Sequence, residues 1–136
     1  MKKFVAILNK KIETGRLMNA LGHMTAGLSH IYPNKDELLL FDYVDKDGGV
    51  HKSISDNPFI VLASDNSNQI RTVRNALLER GIIFTDFTTT MQEGTAAEQR
   101  ERTSKTPESE LEYCGICFFG DDENFKDVTK KFSLWR

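Results

Sequence analysis

This 136-residue chain has little of what marks a specialised protein. It holds two cysteines, three prolines and one tryptophan. Two cysteines cannot build the multi-bridge framework of a small secreted domain, and three prolines exclude a proline-rich tail or linker. No apolar run approaches the ~20 residues of a membrane-spanning helix. The first such run, Phe4 to Leu8, is too short for the core of a secretory signal. A cytoplasmic protein with no membrane partner is therefore expected. Neither charge dominates, since 18 Lys and Arg face 20 Asp and Glu for a net charge of −2. The strong basic field of a nucleic-acid binder is missing. No G-x-S-x-G, Walker loop or dinucleotide glycine fingerprint occurs, and nothing calls for a cofactor or a metal.

What is present is the composition of an ordinary folded domain, 39% hydrophobic and 28% charged. Its length suits a single domain, 1–136, with its own core. Lys3 to Leu8 reads as a central strand. A helix follows, with Thr14 as its expected N-cap and an end near Tyr32, because Pro33 disfavours a helical residue before it. Glu37 to Val44 and Val50 to Ile54, separated by Asp47-Gly48-Gly49, suggest a hairpin or bent extended arm. Pro58 to Ala63 is a continuous apolar run, expected to be a strand covered on both faces. Ser64 and Asp65 are candidate caps of a helix with Ile70, Val73 and Leu77 buried and Gly81 as its stop, and Ile82 to Phe87 is the next strand. The polar stretch at about 93–110 reads as a surface insertion, either a mobile loop or a turn or two of helix over Ala96 to Arg102. Tyr113 to Phe119 is a buried strand, and Asp121 or Asp122 caps a last helix bearing Phe125, Val128 and Phe132.

Cys114 and Cys117 form a C-x-x-C spacing inside that buried strand. Residues three apart on a regular strand point to opposite faces, so the sulfurs are expected not to meet and to be structural. The same geometry opposes a zinc site made with His23 and His30.

The most informative stretch is Phe4 to His30. On its helix Leu17, Leu21, Met24, Leu28 and Ile31 share a core face. Arg16, His23 and His30 fall seven residues apart on a second stripe, with small Ala20 and Gly27 between them. Histidine can relay protons near neutral pH or donate to an anion. Arginine binds phosphate or carboxylate bidentately but does not act as a base. The hydroxyl run Thr88, Thr89 and Thr90, at the end of the Ile82 strand, could bind the same anions or be merely strand-favoured residues. Lys2, Lys3, Lys10, Lys11 and Arg16 cluster near the first strand, as either a phosphate patch or a solvated rim.

A strand, a polar turn closing on Gly15, and a helix with Arg16 and then His23 resemble the opening of the type-II peptidyl-tRNA hydrolases. The chain more closely resembles a related group, the family called "domain of unknown function 2000". The C-terminal run YCGICFFGDDENFKDVTKKFSLW fits as well, and the likeness covers nearly everything outside 93–110. It implies a single α/β domain of the peptidyl-tRNA-hydrolase-II kind, with a mixed sheet of four main strands and helices on both faces. It also implies that Arg16 stands where the hydrolases carry a functional lysine, and Thr89 where they carry an acid, with Asp86 three residues early. Lys11 or its neighbours replace a family aspartate. Two functions are therefore expected to compete. One is a non-catalytic module binding a small anionic ligand through Arg16, His23, His30 and Thr88 to Thr90, or pairing into a homodimer. The other is a hydrolase of an ester or acyl bond using His23, Arg16 and Thr89. tRNA is expected to bind weakly or not at all.

Overall fold

The computed structural model describes all residues, 1–136. The chain runs β1 (Lys2–Asn9), α1 (Thr14–Ile31), β2 (Leu40–Val44), β3 (Val50–Ser55), β4 (Phe59–Ser64), α2 (Ser67–Arg80), β5 (Phe84–Thr88), α3 (Ala96–Ser104), β6 (Tyr113–Asp121), α4 (Lys126–Thr129) and β7 (Ser133–Leu134). The main sheet has five strands, in the order β5-β6-β1-β4-β7, where four were expected. The fifth is only Ser133–Leu134, paired antiparallel to Leu62 and Ala63. Two residues make too small a strand to leave a periodic signal. β1 and β4 are parallel, whereas β6 runs antiparallel to both β1 and β5. β2 and β3 pair only with each other.

Strand parity divides the core into two layers. Phe4, Ala6 and Leu8 of β1 pack against Leu17, Ala20, Met24 and Leu28 of α1. Val5 and Ile7 pack with Ile70, Val73 and Leu77 of α2. Every β1 residue from Phe4 to Asn9 is buried, because a strand between two helix layers has no solvent face. The period-3.6 stripes thus give the helix faces correctly, except at the end of α1. Ile31 is 48% exposed rather than part of the core, and Leu21 is only partly buried.

Local chemistry moves several boundaries. Thr14 is the first residue of α1, after Glu13, which supplies no side-chain cap. The cap of α2 is neither Ser64 nor Asp65 but Asn66, whose side chain accepts from the Gln69 N–H. β5 begins at Phe84, two residues after the expected Ile82. The Pro58 to Ala63 run is not covered on both faces, for Phe59 is 39% exposed and only Leu62 of its large side chains is buried. The short β7 leaves most of that edge open.

β6 holds the largest departure from regular pattern. Phe87 pairs with Gly115 and Thr88 with Tyr113, so two β6 steps face one β5 step. This bulge turns Cys114 and Cys117 to the same layer, the α1 side, instead of to opposite faces. Both thiols are free and buried, and burial pushes them up, to about 11 for Cys114 and about 12 for Cys117. Gly115 is tied to its identity by space. A Cβ there would sit 2.8 Å from Leu8 Cδ2 and 2.9 Å from Met24 Cε.

The insertion is ordered at both ends. α3 opens with a capping box, in which the Glu98 N–H donates to Thr95 Oγ1 and the Thr95 N–H donates to Glu98 Oε1. At the far end Arg71 of α2 donates to Glu108 and to the Leu111 carbonyl, with its guanidinium 5.2 Å from the Tyr113 ring centre. The Tyr113 hydroxyl donates to Glu108 as well, at 2.8 Å. No helix is long and apolar enough to cross a membrane.

Candidate functional site

β5 is an edge of the sheet, with α1 packed on it and α3 packed on the turn Thr89–Met91 that follows it. Its alternate residues face opposite layers. Thr85 donates to the Met24 carbonyl of α1 at 2.8 Å, and Phe87 joins the α1-side core. Asp86, between them, points to the α2 side and accepts from Arg74 Nε at 3.2 Å. Burial holds the Asp86 carboxyl above the usual carboxylate range, against the opposing pull of Arg74. The only acid on β5 is thus on the wrong face to serve His23.

His23 is exposed on α1 and stacks on Phe87, with ring centres 5.9 Å apart and planes 25° from parallel. Phe87 and Met91 form the floor of a groove of about 480 Å³, whose wall is the face of α3 carrying Ala96, Gln99, Arg100, Thr103 and Ser104. The imidazole thus rests on Phe87, one of the groove's lining residues, without itself lining the groove. Arg100 stands on the groove wall outside the ion pairs that occupy Arg16, Arg71, Arg74 and Arg80.

The other sequence candidates do different work. Arg16 donates to Gln92 Oε1 at 2.9 Å and to Glu93 Oε1 at 3.2 Å. Gln92 in turn donates to Cys114 Sγ at 3.0 Å. Arg102 of α3 donates to the Glu93 and Thr90 carbonyls. Arg16 is thus one end of a clasp that fastens the start of α1 to the segment entering α3. Thr88 is buried with Oγ1 2.6 Å from Thr90 Oγ1, and Thr103 donates to Thr90 Oγ1 at 2.8 Å. Two of the three hydroxyls in the run are thereby engaged with neighbours. Thr89 is tied by its backbone N–H to the Glu112 carbonyl. His30 is exposed at the end of α1, ~10 Å beyond His23 at the ordinary helical rise; Lys35 donates to its carbonyl, and its ring makes no hydrogen bond. The structure ties Arg16 and Thr90 to α3 and the segment entering it, stacks His23 on Phe87 about two helical turns from Arg16, and leaves His30 a further two turns along.

The basic cluster is largely neutralised. Lys2 pairs with Glu37, Lys3 with Asp122, Lys10 with Asp65 and Arg16 with Glu93. Nor does any group of three His, Cys, Asp or Glu side chains converge as a metal site would require.

Phe87, Met91, Gln99, Arg100 and Thr103 escaped the sequence reading. A signal for the α3 residues was there. Thr95-Ala-Ala-Glu98 is a capping-box pattern, and Ala96, Gln99, Arg100 and Thr103 then fall at i, i+3, i+4 and i+7 on one face.

An α/β sheet with this groove at one edge is the class the fold defines. The chain belongs to the family described as "Protein of unknown function (DUF2000)", whose model matches residues 2–136. Among solved structures it is similar to the protein of unknown function Atu0240 from Agrobacterium tumefaciens C58. The identity is 22% and the TM-score 0.85, over 99% of this chain and 98% of that one. That likeness establishes the fold. No curated protein matches the chain.

Proposed function

We propose that this protein is a non-catalytic binding module for a small anionic ligand with an apolar body, held in the groove between His23, Phe87 and α3. The observation that carries this reading is the pairing of an apolar floor, Phe87 and Met91, with the uncommitted Arg100 on the groove wall and His23 stacked on Phe87. Ligand sites are commonly concave and apolar with a few placed polar groups. A carboxylate or phosphate would take its hydrogen bonds from Arg100 and His23 while its body covers the floor.

Two features speak for binding rather than hydrolysis. The acid on β5 faces α2, and the Thr88 and Thr90 hydroxyls are spent on neighbours. General acid–base work needs a group within hydrogen-bond reach of the reacting atoms. The resemblance of Gly15, Arg16 and His23 to the type-II peptidyl-tRNA hydrolases supports a fold of that kind, while the engaged Arg16 argues against the same chemistry. The paired lysines leave few charges to neutralise tRNA phosphates, so tRNA binding should be weak and lost at moderate salt.

The test is a titration of isotope-labelled protein with octanoate and with phenyl phosphate, followed by amide and side-chain NMR shifts. Shifts should centre on His23, Phe87 and Arg100. Arg100→Ala or His23→Ala should weaken binding by ~1–3 kcal/mol, the worth of a hydrogen bond to a charged group. Shifts confined to other surfaces, or none at millimolar ligand, would refute the proposal. Release of peptide from peptidyl-tRNA at ordinary enzyme concentrations would replace it with the hydrolase reading.

A further inference from the structure

The opposite side of the molecule carries two unpartnered apolar surfaces. One is the β2–β3 arm. Apart from Ser55 every residue of both strands is exposed, including Leu40, Phe41, Tyr43, Val44, Val50 and Ile54 at 47–67%. A lone two-stranded hairpin is marginal in water. The pairing puts Phe41, Tyr43 and Ile54 on one face of the arm and Leu40, Val44 and Val50 on the other, and exposed apolar side chains grouped on one face mark an interaction surface. The other is a trough of about 420 Å³ along α1 and β4, lined by Met18, Leu21, Gly22, Thr25, Phe59 and Val61. An adjoining hollow of about 220 Å³ shares Met18, Leu21 and Val61 and reaches Trp135.

Gly22 adds an independent sign. It lies inside α1, where glycine is the least favourable residue after proline. A Cβ at Gly22 would meet nothing within 4 Å, so no packing within this chain explains it. A bare patch of helix in the middle of an apolar trough is where a bulky side chain from elsewhere can reach the backbone.

We infer that the β2–β3 arm of one copy lies in the α1–β4 trough of a second, and the second arm in the first trough, so that the chain forms an arm-exchanged homodimer. A second copy is the occupant the observations favour, because one two-fold axis covers both surfaces on both chains. The arm does not reach its own trough by swinging, for its base is pinned. Leu38 is buried, Ser55 Oγ and Asn57 Nδ2 donate to the Leu38 and Glu37 carbonyls, and the Asp56 N–H donates to the Leu39 carbonyl. Strands of five to six residues extend roughly 17–20 Å from that base, enough to lie along another molecule. With Phe41, Tyr43 and Ile54 of one arm face about half exposed, that face and the trough together offer on the order of 600 Å² per copy. Doubled, that is about 1,200 Å², the lower end of the range for stable interfaces. The surface lies at the β4–β7 side of the sheet, away from the β5 groove, and stands or falls separately from it.

The test is sedimentation and light scattering of the full chain across the micromolar range. A dimer is expected. Phe41→Asp with Ile54→Lys on the arm, or Gly22→Trp in the trough, should each weaken it at least about 100-fold, as loss of interface anchors does. Circular dichroism should stay unchanged in each. In an equimolar mixture of a Gly22→Cys chain and an Ile54→Cys chain, oxidation should join the two chains; Cys114 and Cys117 are buried and do not compete. Three results would overturn the proposal. They are a monomer up to about 100 μM, well above the Kd such an area supports, a dimer indifferent to both sets of substitutions, and a disulfide formed within one monomeric chain carrying both cysteines, which would place the arm on its own trough.

Discussion

β6 and the β2–β3 arm are both rich in the aromatic and branched residues that favour strands, yet their surroundings are opposite. The first seven residues of β6 are all buried, whereas ten of the eleven residues in β2 and β3 are exposed. Composition already hints at the difference, since β2 and β3 carry Asp42, His51, Lys52, Ser53 and Ser55 while the buried part of β6 holds no charged side chain. β6 lies between β5 and β1 with α1 over one face and α2 over the other, while the arm pairs only with itself. Apolar surface creates a demand for cover, and topology decides what meets it.

The contrast can be broken at its strongest point. Phe118 is fully buried in the α2-side layer and meets Phe125 edge to face at 5.0 Å. Phe118→Ala is expected to cost about 3–5 kcal/mol in urea unfolding. A cost near that of a surface change would mean that β6 is not the centre of the fold.

The next effect is alkaline. Cys114 and Cys117 hold their protons to about 11 and about 12 in the folded chain, mainly through burial. An unfolded thiol ionises near 8.5. Groups whose folded pKa is raised contribute stability below the unfolded value and lose it as pH climbs through the folded one. Stability should therefore fall between about pH 8.5 and 12, by on the order of several kcal/mol, and Cys117→Ala should flatten the slope. The raised Tyr113 hydroxyl adds to the upper part of that fall. Thiol reagents at pH 8 should label neither cysteine until the chain opens.

A smaller change sharpens the comparison between the two sides of β5. Arg74→Ala leaves the half-buried Asp86 without its partner and should cost ~1–3 kcal/mol at pH 7. A carboxyl with a raised folded pKa favours the folded state in acid and opposes it as pH rises. The deficit should accordingly shrink towards pH 4. A deficit independent of pH would mean that Arg74 acts through packing on Tyr113 instead. Smallest of all should be Phe41→Ala on the arm, within ~0.5 kcal/mol when measured dilute enough for single chains. A larger loss would mean that the arm is supported within its own chain.

Much of the framework was legible because it is local. Ile70, Val73 and Leu77 announce their helix face by spacing alone, as do Leu17, Met24 and Leu28. Ile31 obeys the same spacing but is the last residue of α1 and stays 48% exposed. The Cys114–Cys117 geometry was misread because a bulge adds a residue to one strand against its partner, which depends on the register with β5. In the candidate site, helical spacing pointed to Arg16 and His23. It did not tell them apart, since the partners of Arg16 lie 76 and 77 residues away.

By itself the sequence determined a single α/β chain with two amphipathic helices, a buried strand at Tyr113 to Phe119 and either a hairpin or a bent arm before Pro58. Those features rest on residue spacing within one element, and hydrophobic periodicity reports which side of that element seeks cover. Tertiary structure decided the rest: that Asp86 faces Arg74 instead of His23, that Arg16 is a clasp, and that α3 walls a groove over Phe87. It also decided that the arm and the α1–β4 trough remain open. The physical reason is common to all of these. Strand parity, register and the pairing of distant charges are properties of two elements together, and neither element's sequence contains its neighbour.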